Sequence, residues 1–237
     1  MNFLSDILRT LFIALLFLLG LFGWLLPATL LLSLMGCKTT PWRHRLMWRA
    51  CRFAASHLPG TQLQIEGLEH LPKEQPAVWI SNHQSSLDLV CLLMLSPRLV
   101  VVTNAREWHN PLYGAIIRRL SFLPVSMGFE ALQEQVGRLA REGYSVAIFP
   151  EGTRSRNGRL GRFHQGAFAL AAHLHLPLLP IVLQGTDRVF PKGSRVFHRG
   201  RLSVSIHPAW PSPSPHEQSI KETRHRMRDF FLKKTNR

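Results

Sequence analysis

Acidic side chains are scarce in this chain: 14 Asp and Glu stand against 29 Lys and Arg, for a formal net charge of +15 over 237 residues. Such an excess draws the protein to an anionic partner, whether nucleic acid, acidic lipid headgroups or an acidic carrier protein. Cysteine is nearly as scarce. Cys37, Cys51 and Cys91 share no metal-type spacing and form no even set, which excludes a disulfide framework and a cysteine-based metal centre. Cys91 falls in an apolar run, the setting of a buried, inert thiol rather than a nucleophile. There is no internal repeat, low-complexity tract or sign of a second folded domain.

Charge is missing altogether between Arg9 and Lys38, where Leu, Phe, Ile and Ala dominate residues 11–35. About 25 such residues at roughly 1.5 Å each reach about 37 Å as a helix, enough to cross a hydrocarbon core of about 30 Å. Gly20, Gly23 and Pro27 interrupt the run, which leaves a kinked span or a re-entrant hairpin open. The run exceeds the roughly 15 residues of a signal-peptide core. Lys38, Arg43, Arg45, Arg49 and Arg52 follow it, against Arg9 alone on the other flank. The positive-inside bias therefore places the remainder of the chain on the cytoplasmic face of the cell inner membrane. Behind a membrane segment, lipid is the economical anionic partner. Nucleic acid would call for aromatic and basic residues clustered on one face, and the aromatics here lie mainly in the apolar segment or in buried runs.

Beyond the anchor, strand and helix patterns alternate. Residues 43–57 read as a basic amphipathic helix whose Trp42, Leu46, Met47, Trp48 and Phe53 can rest on a bilayer surface. Strands are predicted at 62–67, 77–80, 99–103, 145–149, 178–183 and 202–206, the last pairing with 195–198 across Gly200. Helices are predicted at 86–95, 111–120, 130–141, 167–175 and 217–234; four prolines between Pro208 and Pro215 end the sheet. This order gives an α/β fold with a mixed central sheet flanked by helices. Residues 1–58 form the N-terminal membrane anchor and basic helix, and residues 59–237 the α/β domain.

Two short blocks carry chemistry. His83 and Asp88, five residues apart, would lie roughly 140° apart on one helix and could not touch. They meet only if His83 stands in the loop after a strand and Asp88 in the first turn of the next helix. Ser85-Ser86-Leu87-Asp88 allows this as a capping box with Ser85 as N-cap and Asp88 at N3. Asp88 would then orient the imidazole through Nδ1–H and leave Nε2 as a general base for a hydroxyl. The second block, Phe149-Pro150-Glu151-Gly152-Thr153-Arg154-Ser155, follows another buried strand. Gly152 relaxes its backbone toward a phosphate and Arg154 can bind phosphate oxygens bidentately, with Arg156, Arg159 and Arg162 as a cationic rim. Either block alone is also what an ordinary cap or turn gives. Together, in this order behind an anchor, they point to a base working on a hydroxyl beside a phosphate.

The blocks Asn82-His83-Gln84-Ser85-Ser86-Leu87-Asp88 and Phe149 to Ser155 resemble the first and third motifs of the glycerolipid acyltransferases, most of all the bacterial 1-acylglycerol-3-phosphate acyltransferase type. Leu176-Pro177-Leu178-Leu179-Pro180-Ile181-Val182 is similar to the family's fourth motif, an apolar strand lining the site. The likeness covers roughly residues 65–210. It implies a membrane-bound enzyme that moves a fatty acyl group to the free hydroxyl of a lysophospholipid, giving phosphatidic acid when the acceptor is 1-acylglycerol-3-phosphate. It implies His83 as base, Asp88 as its orienting carboxylate, and Glu151, Gly152, Thr153 and Arg154 as the acceptor-binding residues. The donor would be acyl-CoA or acyl-carrier protein, with no further cofactor and no metal. Two departures bear on the acceptor. Leu120-Ser121-Phe122-Leu123-Pro124-Val125-Ser126 lacks the Arg that closes the family's second motif, although Arg118 and Arg119 stand just before it. Phe163-His164-Gln165-Gly166 stands where the family often has Phe-Lys-x-Gly. A lyso-ornithine lipid or another lysophospholipid therefore stays open as acceptor, as does a non-catalytic lipid-binding protein of the same fold.

Overall fold

A computed structural model describes residues 3–18, 27, 40–110, 114–120, 122–155 and 158–235. Seven strands form one sheet in the order β1-β7-β6-β2-β5-β3-β4. They are β1 (Thr61–Glu66), β2 (Val78–Ser81), β3 (Leu99–Thr103), β4 (Leu123–Pro124), β5 (Ser145–Ile148), β6 (Leu178–Gln184) and β7 (Gly200–Ile206). Neighbours are parallel except β6 and β7, which run antiparallel, so the sheet is mixed as the sequence predicts. The described helices are α1 (Phe3–Leu18), α2 (Thr40–Ser56), α3 (Leu87–Leu93), α4 (Ala105–Trp108), α5 (Gly114–Arg119), α6 (Phe129–Arg141), α7 (Gly166–Leu174), α8 (Thr186–Val189) and α9 (Glu217–Thr235).

The alternation of side chains along central strands divides the core in two. Val78 and Ile80 of β2, Val100, Val146, Leu178 and Val182 pack against Leu132 and Val136 of α6, the alanines of α7, and Ile220, Met227 and Phe231 of α9. Trp79, Leu99, Val101, Ala147, Leu179, Ile181 and Leu183 point to the other face, under Cys51 and Ala55 of α2 and Cys91 and Leu92 of α3. All four residues of β2 are buried, as befits a parallel strand covered on both faces, whereas edge strand β1 alternates. Phe231 is fully buried; its truncation to Ala would cost about 3–5 kcal/mol through lost contacts and a cavity.

One sequence-based pairing differs from the structure. Residues 195–198 are not a strand, and β7 pairs with β1 on one side and β6 on the other. The period-2 pattern marks a strand without naming its neighbour, and β7 has both edges occupied. At the bend between β6 and α8, Gly185 (φ 82°) lies so close to β7 that a Cβ would sit 1.9 Å from the Arg201 carbonyl oxygen.

Helix α1 is amphipathic with its polar side turned inward. Asp6 and Arg9 are buried, while Leu4, Leu8, Leu11, Phe12 and Leu15 are at least half exposed along one face. Arg9 pairs with Asp6 at 2.8 Å, and His198 Nδ1 meets the other Asp6 oxygen at 3.1 Å. The Phe197 N–H donates to Thr10 Oγ1 at 2.9 Å, completing the attachment to the loop before β7. Most of the apolar run at 11–35 lies outside the described residues, and with it Cys37. Among the described residues, no helix is long and apolar enough to cross a membrane.

Candidate active site

The first block follows β2. Buried Asn82 grips the end of β6 by a reciprocal pair of bonds: its Nδ2 donates to the Leu183 carbonyl and its Oδ1 accepts the Leu183 N–H, each at 2.8 Å. With the strand end pinned, the next residue is the one presented at the sheet's C-terminal edge. His83 donates its backbone N–H to Glu151 Oε1 at 2.8 Å and accepts the Ser155 N–H on its carbonyl at 2.8 Å. Its ring lies flat against Phe149, with centroids 4.0 Å apart and planes 15° from parallel. The imidazole is thus held by both blocks at once.

Asp88 lies in the first turn of α3, wholly buried. Its Oδ2 accepts His83 Nδ1–H at 2.9 Å and the backbone N–H groups of Gln84 at 2.6 Å and Ser85 at 2.7 Å. A carboxylate can only accept, so Nδ1 carries the proton and Nε2 the lone pair. Asp88 reaches the Ser85 N–H as a capping box requires, but the Ser85 hydroxyl accepts from Leu87 at 3.2 Å, one residue earlier than predicted, and donates to the Phe190 carbonyl. The His83 side chain retains 19 % exposure beside a fully buried Asp88, so the imidazole alone faces outward.

The second block wraps around this turn. Glu151 is buried; its Oε2 accepts the Gly161 N–H at 2.7 Å while Oε1 holds His83. Burial holds its carboxyl above the usual carboxylate range, and the two N–H donors offset only part of that rise. Both oxygens are engaged by the protein's own backbone. Gly152 adopts a left-handed conformation (φ 68°) and spends its own N–H on the Phe149 carbonyl at 3.0 Å, so it supplies the bend of the loop. Thr153 is exposed, and the Arg154 guanidinium donates to Ser86 Oγ at 2.7 Å, bringing the cation to the edge of the His83–Asp88 turn. Arg159 and Arg162 stand exposed on the same loop; Arg156 lies outside the described residues. Arg118 donates to the Trp108 carbonyl at 2.6 Å, and the Arg119 side chain lies outside what is described.

Sequence reasoning missed Asn82 as a clamp, Gly161 as the second donor to Glu151, and Lys192. Lys192 Nζ donates to the Arg154 carbonyl and to Thr153 Oγ1 at 3.4 Å. The Pro191-Lys192-Gly193 turn was the visible signal, but nothing local told which block it would reach. Cys91 and Cys51 are buried in the core, where desolvation pushes both thiols up to about 12, far from nucleophilic range.

A fold with this sheet and these two blocks defines a class: the chain belongs to the acyltransferase family, whose model (Acyltransferase) matches residues 62–184. Among its relatives, a chloroplastic 1-acyl-sn-glycerol-3-phosphate acyltransferase of Arabidopsis thaliana is 37 % identical over 155 residues, covering 63 % of this chain and 44 % of that protein. The 1-acyl-sn-glycerol-3-phosphate acyltransferase alpha of Homo sapiens is 32 % identical over 186 residues, covering 74 % of this chain and 64 % of that one. The chain thus spans about half the length of the curated relatives it matches. The crystal structure of the 1-acyl-sn-glycerophosphate (LPA) acyltransferase from Thermotoga maritima shares the fold, with a TM-score of 0.78 at 20 % identity over 99 % of this chain and 98 % of that one.

Proposed function

We propose that this protein transfers a fatty acyl group from a thioester, acyl-CoA or acyl-carrier protein, to the free hydroxyl of 1-acylglycerol-3-phosphate, yielding phosphatidic acid. The observation that carries the reading is the 2.9 Å His83–Asp88 bond with Arg154 anchored on Ser86 beside it. His83 Nε2 removes the acceptor proton as the hydroxyl oxygen attacks the thioester carbonyl carbon. The tetrahedral intermediate collapses with cleavage of the C–S bond, and the imidazolium returns the proton to the departing thiolate. The acceptor is itself the nucleophile, so no acyl-enzyme forms. A positioned base contributes about 10²–10⁴-fold. Asp88 orients the ring and stabilises the imidazolium, in the manner of the carboxylate in a Ser-His-Asp triad. Arg154 and Thr153 hold the acceptor phosphate, Gly152 shapes their loop, and Glu151 acts on the chemistry by fixing His83 and Gly161 rather than by touching the headgroup.

The same reading places the protein on the inner membrane with its catalytic face toward the cytoplasm. The outward apolar stripe of α1, the exposed Trp42 and Phe53 on basic α2, and the uncharged run at 11–35 support it. A second acceptor class, other lysophospholipids or lyso-ornithine lipid, is favoured by the missing second-motif Arg and by His164 in place of Lys. The test is an acceptor panel with labelled acyl-CoA and acyl-carrier protein, read by lipid mass spectrometry with His83→Ala membranes as blank. Diacyl product from lysophosphatidate supports the reading. Product from another lysolipid alone would transfer the assignment to that acceptor, and no thioester consumption at all would leave a lipid-binding protein.

A further inference from the structure

We infer that Arg228, on the C-terminal helix α9, is a positioning residue for His83 and acts on it through Gly161 and Glu151. The inference rests on the proposed transfer with His83 as its base. A run of three hydrogen bonds joins the two residues. Arg228 Nε–H donates to the Gly161 carbonyl at 3.2 Å. The Gly161 N–H donates to Glu151 Oε2 at 2.7 Å, and Glu151 Oε1 accepts the His83 N–H at 2.8 Å. The N–H and the C=O of Gly161 belong to the two rigid peptide planes on either side of its Cα, so a bond on each fixes the residue from both sides. Arg228 lies 67 positions beyond Gly161 and outside both motif blocks.

Packing gives this run a firm origin. Met227 and Phe231, which flank Arg228 on α9, are fully buried. Phe231 meets Phe163, two residues past Gly161, edge-on with ring centroids 5.5 Å apart. The next residue, His164, donates its N–H to the Pro150 carbonyl at 2.8 Å. Residues 161–164 are thus held by α9 on one side and by the turn that carries Glu151 on the other. The fit is close: a Cβ on Gly161 would stand 2.9 Å from Glu151 Oε2 and displace it. A buried carboxylate stays in place while its oxygens keep their donors. If Gly161 moves off, Oε2 loses the N–H that meets it and Oε1 shifts from the His83 amide. The imidazole then keeps its Asp88 bond but loses a backbone anchor that aims Nε2. In this role the useful part of Arg228 is its Nε–H, not its charge.

Arginine and glutamine both carry an N–H-bearing nitrogen bonded to Cδ, so Arg228→Gln keeps a donor for Gly161 and removes the charge, whereas Arg228→Met removes both. The experiment measures transfer by the full chain in mixed micelles to the lysolipid that the wild type accepts. It compares wild type, Arg228→Met, Arg228→Gln, Glu151→Gln and the Arg228→Met/Glu151→Gln double variant, recording thermal unfolding and deuterium uptake of the peptide containing His83. Arg228→Met should lower kcat about tenfold with both KM values within about twofold, since a misplacement of about 1 Å can cost about 10²-fold. Uptake at His83 should quicken, and Arg228→Gln should restore most of the rate and the protection. The double variant should lie within about twofold of Glu151→Gln alone, because the two residues act through one link. If Arg228→Met does not fold, Arg228→Ala decides, with kcat expected to recover in millimolar ethylguanidinium. Equal losses in Arg228→Met and Arg228→Gln would assign the effect to charge, and additive losses in the double variant, or a lowered unfolding temperature at unchanged kcat, would make Arg228 a brace of the fold. Either result overturns the inference while transfer by the wild type stands. A wild-type protein that acylates no lysolipid would instead overturn the functional reading itself, and this inference with it.

Discussion

Among the described residues, two histidine–aspartate pairs have nearly equal geometry, His83–Asp88 at 2.9 Å and His198–Asp6 at 3.1 Å, each built on a buried carboxylate. Their surroundings differ. Asp88 receives two backbone N–H groups besides the imidazole and spends its charge on the His83 ring, which stacks on Phe149 near Arg154. Asp6 already faces the Arg9 guanidinium, so its imidazole completes a clasp. That clasp holds the polar side of α1 inward, and the apolar stripe is turned outward as a consequence. The bond to His198, aided by Arg9, keeps the Asp6 carboxyl below the usual carboxylate range. The lesson is that an imidazole–carboxylate bond is a tool for orientation. Whether it serves catalysis or docking depends on what stands beyond the imidazole.

The largest expected effect separates the two pairs. His83→Ala should lower transfer by about 10²–10⁴-fold while the protein still folds and sediments with membranes, and His198→Ala should keep detergent-assayed transfer within about threefold. Equal losses in both would erase the distinction. Next comes Asp88→Asn, expected to lose roughly 10²-fold in kcat with its unfolding temperature preserved; a variant at full rate would remove orientation from the mechanism. For Arg154→Ala the acceptor KM should rise about ten- to hundredfold, with the donor KM unchanged. Leu8→Asp with Leu11→Asp should weaken vesicle co-sedimentation by at least about a hundredfold without changing kcat in micelles, since each buried leucine is worth about 1.5–3 kcal/mol and each 1.4 kcal/mol is about tenfold.

His44 supplies the smallest effect at neutral pH and a useful contrast, because its imidazole is buried without a carboxylate. It bonds the Leu99 backbone and tilts against Tyr144 with centroids 5.1 Å apart. Burial lowers its pKa from 6.5 to about 4. Its folded value lies below its unfolded one, so between those values the unfolded chain takes up the proton first. Its contribution is present in full above pH 6.5 and is lost as pH falls toward about 4. Urea unfolding across that window should show the wild type losing up to about 3 kcal/mol more than His44→Leu. Parallel curves would contradict the burial argument.

How much of this was legible depends on sequence distance. His83 and Asp88 sit five residues apart, and a helix-capping rule was enough to bring them together through a turn. Arg154 was legible because Gly152 announces a bend after a strand. The inward turn of Glu151 was not, since its second donor, Gly161, is a backbone amide with no residue signature. Asp6 and His198, 192 positions apart, meet only through the fold, as do Lys192 and the Thr153–Arg154 loop. Central strands such as β2 were readable from unbroken apolar character. The neighbours of β7 were not, because alternation specifies a face and leaves the pairing to the rest of the sheet. Hydropathy likewise identified an apolar N-terminal segment but could not tell which side of α1 the clasp would turn outward.

The most direct measurement is single-turnover transfer of a labelled acyl group from CoA or carrier protein to lysophosphatidate, followed against pH for wild type and His83→Ala in the same membranes. The account predicts a His83→Ala rate about 10²–10⁴-fold below that of the wild type at every pH. A His83→Ala protein that forms phosphatidic acid at the wild-type rate, with the same pH dependence, would contradict it.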